Sequence, residues 1–118
     1  MKLFATVSVV AALAVPVATG ALAAPAAATL TGTDGPGFTI TLTLGGKKVT
    51  KLKAGAYTIN INDKSNVHNF HLVGPGVNKK TSVTALTKTT WKVTLKKGTY
   101  KFVCDPHAAI MKGSFKVG

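Results

Sequence analysis

The chain reads as an all-β domain, an antiparallel Greek-key sandwich or barrel of about eight strands. Three observations carry that reading. Short runs of alternating polarity recur from Gly37 onward, turn residues punctuate them, and none of this part has the spacing of an amphipathic helix. A length of 118 residues allows one such domain.

The elements follow in order. Residues 1 to 23 open with Lys2, run through the apolar Leu3 to Val15 and end in Ala21-Leu22-Ala23. A basic start, an apolar stretch and a small-x-small ending describe a cleaved secretory signal peptide, and Pro16 and Gly20 argue against a membrane anchor. Residues 24 to 36 are rich in Ala, Thr and Gly and read as a flexible linker. The domain is then 37 to 118. Phe38 to Leu44 alternates cleanly and Gly45-Gly46-Lys47-Lys48 turns. Val49 to Lys53 and Tyr57 to Asn62 follow, split by Ala54-Gly55. Val67 to Val73, Ser82 to Leu86, Thr89 to Leu95, Thr99 to Cys104 and Ser114 to Val117 complete the set.

Strand parity assigns the faces. Trp91, Val93 and Leu95 share a core side, while Lys92, Thr94 and Lys96 face out. Tyr100, Phe102 and Cys104 point inward together, and so do His68, Phe70 and Leu72. His71 falls on the other side and is expected to be exposed or hydrogen-bonded rather than a ligand.

Charge is one-sided. Fifteen lysines, no arginine and three aspartates give +12; without Lys2, fourteen lysines against three aspartates leave +11. Dispersed lysines with no recognition motif argue against specific nucleic-acid binding, which would enlist arginine. They suit a solvated surface that blunts sheet edges and attracts acidic partners. No segment beyond the leader is long and apolar enough to span a bilayer, so a soluble, exported monomer is expected, periplasmic or extracellular.

A single cysteine in an oxidising compartment cannot form an internal disulfide, and metal ligation accounts for it. Cys104, His107 and Met111 lie within eight residues of one another, and His68 supplies a second imidazole. A thiolate, two imidazoles and a weak axial thioether suit both oxidation states of a mononuclear electron-transfer copper. Metal binding requires neutral imidazoles and a deprotonated thiol, so it should release protons and stabilise the fold.

Four segments carry a resemblance. These are Leu52-Lys53-Ala54-Gly55, the pair His68-Asn69, the run Lys97-Gly98-Thr99-Tyr100-Lys101-Phe102-Val103-Cys104-Asp105-Pro106-His107, and the ending Met111-Lys112-Gly113-Ser114-Phe115-Lys116-Val117. From about Leu52 to Val117 the chain resembles the small cupredoxins of the plastocyanin, pseudoazurin and amicyanin type, the type 1 blue copper proteins. The resemblance implies a cupredoxin fold, one copper cycling between Cu(I) and Cu(II), the ligands His68, Cys104 and His107 with axial Met111, and a non-enzymatic electron carrier with redox-protein partners. It implies that Asn69 ties the two ligand loops together, that Asp105 hydrogen-bonds with Asn69, and that electrons leave by the exposed edge of His107. Pro106 stiffens the loop. Ala108, Ala109 and Ile110, with Pro75 and Val77, are expected to rim His107. Three residues separate His107 from Met111, between amicyanin's two and plastocyanin's four. Val67, Val103 and Asp105 replace the family's proline, tyrosine and Ser or Thr.

Rival readings are weaker. Cys104 and His107, three apart across a proline, are poorly disposed for nucleophilic catalysis, and no orienting third group is evident. Zinc would make little use of Met111. A copper carrier or storage protein on the same fold is the strongest alternative, followed by a lysine-rich cell-surface binding module.

Overall fold

The computed structural model describes residues 11–12 and 27–118, so the expected signal peptide and its cleavage point at Ala21-Leu22-Ala23 lie outside the described residues apart from 11–12. Among the described residues ten strands form two five-stranded sheets: β1 Ala28–Asp34, β2 Ile40–Leu44, β3 Lys47–Lys48, β4 Lys51–Leu52, β5 Gly55–Asp63, β6 His71–Gly74, β7 Val77–Lys80, β8 Thr87–Leu95, β9 Gly98–Val103 and β10 Lys112–Val117. The first sheet runs β3-β2-β1-β5-β8 and the second β4-β10-β9-β6-β7. Among the described residues the one helical element is a 3-10 turn at Asp105–His107, and no helix is long and apolar enough to cross a membrane.

The all-β expectation agrees with this architecture, with three corrections. Both sheets are mixed, because β1 pairs with β5 and β4 with β10 in parallel. The linker expected over 24 to 36 contains β1, a central strand. Its inward positions are Leu30, Gly32 and Asp34, so a small and an acidic residue interrupt the hydrophobic alternation that marks a strand. A side chain at position 32 would collide with Ile61 Cδ1 at 2.8 Å and Phe70 Cζ at 2.9 Å, so glycine is what admits the Phe70 ring. Lastly, Ser82 to Leu86 is a loop, where the Ser82 hydroxyl takes the Thr84 N–H at 3.3 Å and Leu86 is exposed. Such side-chain capture of backbone groups competes with strand pairing.

Hairpin chemistry sets other boundaries. Gly45 (φ 57°) and Gly46 (φ 79°) alone make the β2–β3 turn, and Lys47-Lys48 already pairs with Thr43-Leu44. Two left-handed residues in a two-residue loop match the twist of the strands they join.

The core lies between the sheets. Phe70 stacks on Phe102 (centroids 5.7 Å, 7°) and Tyr100 on Phe115 (5.3 Å, 12°), with Leu30, Leu42, Ile59, Leu72 and Leu95 buried around them. Trp91 is partly buried, edge-on to Phe70 at 6.2 Å, in keeping with its core-side parity. Both outer faces carry lysines: the second sheet turns Lys51, Lys80, Lys101, Lys112 and Lys116 to solvent, and the first exposes Lys47, Lys48, Lys88 and Lys92 beside Thr31, Thr41, Asn60 and Thr90.

Candidate metal centre

β9 delivers Cys104 to one end of the sandwich, buried as the parity of Tyr100 and Phe102 requires. The chain then turns back through the Asp105–His107 turn, where Pro106 supplies a fixed φ and gives up an N–H that helix starts leave unpaired. Four backbone bonds lock the loop: Cys104 N to Met111 O (3.0 Å), His107 N to Cys104 O (3.0 Å), Ile110 N to His107 O (3.0 Å) and Met111 N to His107 O (2.9 Å). Met111 is thereby fixed at the root of β10 and is fully buried.

His68 comes from the connection between β5 and β6, which passes from the first sheet to the second. It does not sit on the strand expected for Val67 to Val73, because pairing begins only at His71. Residues 64–70 are a loop whose donors are taken by side chains: Val67 N by Ser65 Oγ (3.1 Å) and Phe70 N by Thr81 Oγ1 (2.9 Å). The inward direction of His68, Phe70 and Leu72 survives, all three being buried.

These two loops bring His68, Cys104 and His107 together. The His68 and His107 Nδ1 atoms are 3.0 Å apart, and the Cys104 sulfur lies 3.7 Å from the first and 3.5 Å from the second. A point equidistant from the three atoms is about 2.0 Å from each, matching a nitrogen–metal bond of about 2.0–2.1 Å and slightly inside the zinc–sulfur length of about 2.3 Å. Three lone pairs converging so closely in a buried place need a cation or a proton between them. Each ring presents Nδ1, so the metal-binding tautomer carries its proton on Nε2. The donor set, one soft thiolate and two imidazoles, fits copper.

Behind the ligands, Asn69 joins the loops. Its Oδ1 accepts from Asp105 N at 2.8 Å, and its Nδ2 donates to Asp105 Oδ2 at 2.8 Å and to Thr81 O at 3.3 Å. Asp105 also receives His71 Nδ1 at 2.8 Å, and His71 Nε2 lies 2.7 Å from Asn78 Oδ1. His71 is thus hydrogen-bonded, outside the ligand triangle. Burial raises the Asp105 pKa, but hydrogen bonds from His71 and Asn69 and the charges of His71 and Lys80 outweigh it and hold the carboxyl below its usual range.

The rim expected around His107 needs correcting. Tyr100 Oη donates to Pro75 O at 2.7 Å, and β6 runs antiparallel to β9, so Pro75 and Val77 lie at the far end of the sandwich. Ala108, Ala109 and Ile110 are exposed in the ligand loop as expected. The aromatic neighbour is Phe38, from the turn between β1 and β2, edge-on to His68 (5.4 Å) and to His107 (5.0 Å) while 62% exposed. Position at the head of an alternating run concealed Phe38, and the reading of 24 to 36 as linker concealed the turn that aims it. Thr81, Asp63 and Asp34 were also missed, since nothing local marks a threonine or aspartate as buried.

Two sheets closing on one buried thiolate and two imidazoles define a single-copper β-sandwich. Residues 44–118 match copper binding proteins of the plastocyanin/azurin family, and the chain belongs to that family, the cupredoxins. Solved structures agree on the fold. Reduced rusticyanin superposes with a TM-score of 0.55 at 20% identity over 76% of this chain and 78% of that one. Rusticyanin from Thiobacillus ferrooxidans gives 0.52 at 21%, over 76% of each chain. Dithionite-reduced auracyanin from Roseiflexus castenholzii gives 0.55 at 20%, over 78% and 98%. None of the curated proteins matches the chain significantly.

Proposed function

We propose that this protein is an exported type 1 copper protein that carries single electrons between redox proteins, in which His68, Cys104 and His107 would hold the copper and Met111 would supply a weak fourth ligand. The observation that carries the reading is the ligand triangle, with sides of 3.0 to 3.7 Å, formed by two interlocked loops. Copper supplies a one-electron couple there, and thiolate with imidazole suits both of its states. The protein's part is to hold those ligands still. Backbone bonds fix Cys104, His107 and Met111 relative to one another, and Asn69 fixes their loop to that of His68. Ligands that do not move between states keep the cost of reorganisation low.

Exposed Phe38, Val67 and Ile110 belong to the ligand-bearing end and offer an apolar contact for a partner beside half-buried His107. The five lysines on the outer face of the second sheet favour an acidic partner. The motifs from Leu52 to Val117 favour a small cupredoxin of the plastocyanin, pseudoazurin and amicyanin type, and residues 1 to 23 act as a cleaved leader in the same reading.

Voltammetry tests the function. A reversible one-electron couple is expected, with copper retained against a chelator in both states. Copper readily surrendered to the chelator would favour the carrier or storage reading. Electron exchange with an acidic partner should slow as the screening length falls from about 30 Å at 0.01 M salt to about 10 Å at 0.1 M. Rates that do not change would mean docking through the apolar contact alone.

A further inference from the structure

The chain has three acidic residues, all aspartates, and two of them are inside. Asp34 is 0% exposed and Asp63 is 2% exposed. They are direct neighbours in the parallel register of β1 and β5, at the metal end of both strands, with their side chains on the core face. Such a pair in so basic a protein is costly, because adjacent buried carboxylates cannot both ionise cheaply.

Their surroundings differ in a way that assigns the proton. Asp63 Oδ1 accepts from Ser65 N at 3.1 Å, and Oδ2 accepts from Thr81 Oγ1 at 3.3 Å. Neither oxygen of Asp34 has a donor. A carboxylate with two donors is the ionised member, and a buried carboxyl with none is the neutral one.

The acceptor roles of Asp63 reach the first ligand loop. Ser65, held by Asp63, takes the N–H of Val67, the residue before His68. Thr81, also held by Asp63, takes the N–H of Phe70 and accepts from Asn69 through its carbonyl. From β1, the Asp34 carbonyl takes Lys64 N at 2.9 Å. Loop residues on both sides of His68 therefore hang on this acid pair.

We propose that Asp34 and Asp63 hold a single proton between them, Asp34 as the neutral donor and Asp63 as the acceptor, and that this pair positions the loop carrying His68. The second half of the proposal rests on His68 being a copper ligand; the first does not. Burial, then the hydrogen bond and charge of Asp63, push the Asp34 pKa up from 3.8 to about 8. Asp63 on β5 is the charged group acting on Asp34. On the loop side stands His68, whose Cδ2 lies 3.3 Å from the position a Cβ on neighbouring Gly35 would take. On β2 the paired residue is Ile40, and Lys64 contributes its backbone N–H while its side chain is exposed. A folded-state pKa above the unfolded value means that this group's stabilisation is complete below 3.8 and is lost as pH rises through about 8.

Because the chain contains no glutamate, carbon-13 labelling of the aspartate carboxyls gives NMR signals for three residues only. In the copper-free protein at about pH 6, well above an ordinary aspartate pKa, one carbon should still show the protonated shift and titrate in the alkaline range. It should be absent from Asp34→Asn, which keeps the shape and the donor. Three ionised carboxylates at that pH would overturn the shared proton. Asp34→Asn should also flatten the fall in unfolding temperature between about pH 4 and pH 8, removing an expected drop of more than about 5 °C. In the copper-loaded protein, the His68 ring signals and the optical spectrum should shift with the same midpoint as the labelled carboxyl, and not in Asp34→Asn. A carboxyl that titrates while those signals stay fixed would overturn the positioning role while leaving the copper assignment intact.

Discussion

Away from the metal, the sandwich is closed by aromatic packing: Tyr100 lies on Phe115, and its hydroxyl, which accepts from Lys96 N at 2.9 Å and donates to Pro75 O at 2.7 Å, seals that end. At the metal end the interior changes character. All six buried polar side chains among the described residues, Asp34, Asp63, Ser65, His68, Asn69 and Thr81, gather there beside Cys104. Apolar packing at the closed end holds the two sheets together, whereas the metal end gives up apolar burial for a hydrogen-bonded frame that fixes ligand positions. Stability and site geometry are therefore separable by mutation, and the largest losses of stability should fall where the spectrum is least affected.

Phe115→Ala is the sharpest case. It removes a buried ring from the closed end and should destabilise the fold by about 3–5 kcal/mol, read by chemical denaturation. The copper-loaded protein that remains folded should keep its absorption maximum. A displaced maximum would mean that the two ends are mechanically coupled.

Tyr100→Phe and Asn69→Ala form a matched pair one step smaller. Each leaves buried partners unsatisfied and should cost about 1–3 kcal/mol. Only Asn69→Ala should weaken copper binding, by about 10- to 100-fold, as the loss of a partner that orients ligands does. Equal effects of the two variants on copper affinity would break the comparison.

Asp105→Ser probes charge at the metal end. Removing a carboxylate next to the thiolate should raise the reduction potential by up to some tens of millivolts, corresponding to about 1 kcal/mol in a partly solvated site. An unchanged or lower potential with an intact spectrum would show that Lys80 and His71 already neutralise this charge. The same carboxyl gives a small acid effect. Its pKa is held below the usual range, so its stabilisation is present above the ordinary carboxylate pKa and is lost as pH falls through the lowered one. His71→Ala should shrink that acid loss and leave the visible spectrum in place.

The division between the ends also explains what could be read from the sequence. Alternation found β2, β5, β8, β9 and β10 because their inward residues are large and apolar, and it gave the right direction to His68 although that residue lies on a loop. Ligand types and spacing pointed to the metal end through Cys104 and His107, which the fold brings together with His68. Alternation failed at β1, whose inward Gly32 and Asp34 serve the Phe70 ring and the acid pair rather than a hydrophobic face. It also failed around Ser65 and Thr81, where side chains take backbone donors that a strand would use. Phe38 and the parallel pairings depend on contacts distant in sequence, which no local pattern encodes.

The central claim, that the metal end exists to hold one copper through Cys104 and two histidines, is tested most directly by an optical titration of the purified protein with Cu(II). An intense visible charge-transfer band should grow to saturation at one copper per chain, persist in His71→Ala and be absent from Cys104→Ala, which should still fold. A band of equal intensity in Cys104→Ala, or none in the unaltered protein, would contradict the account.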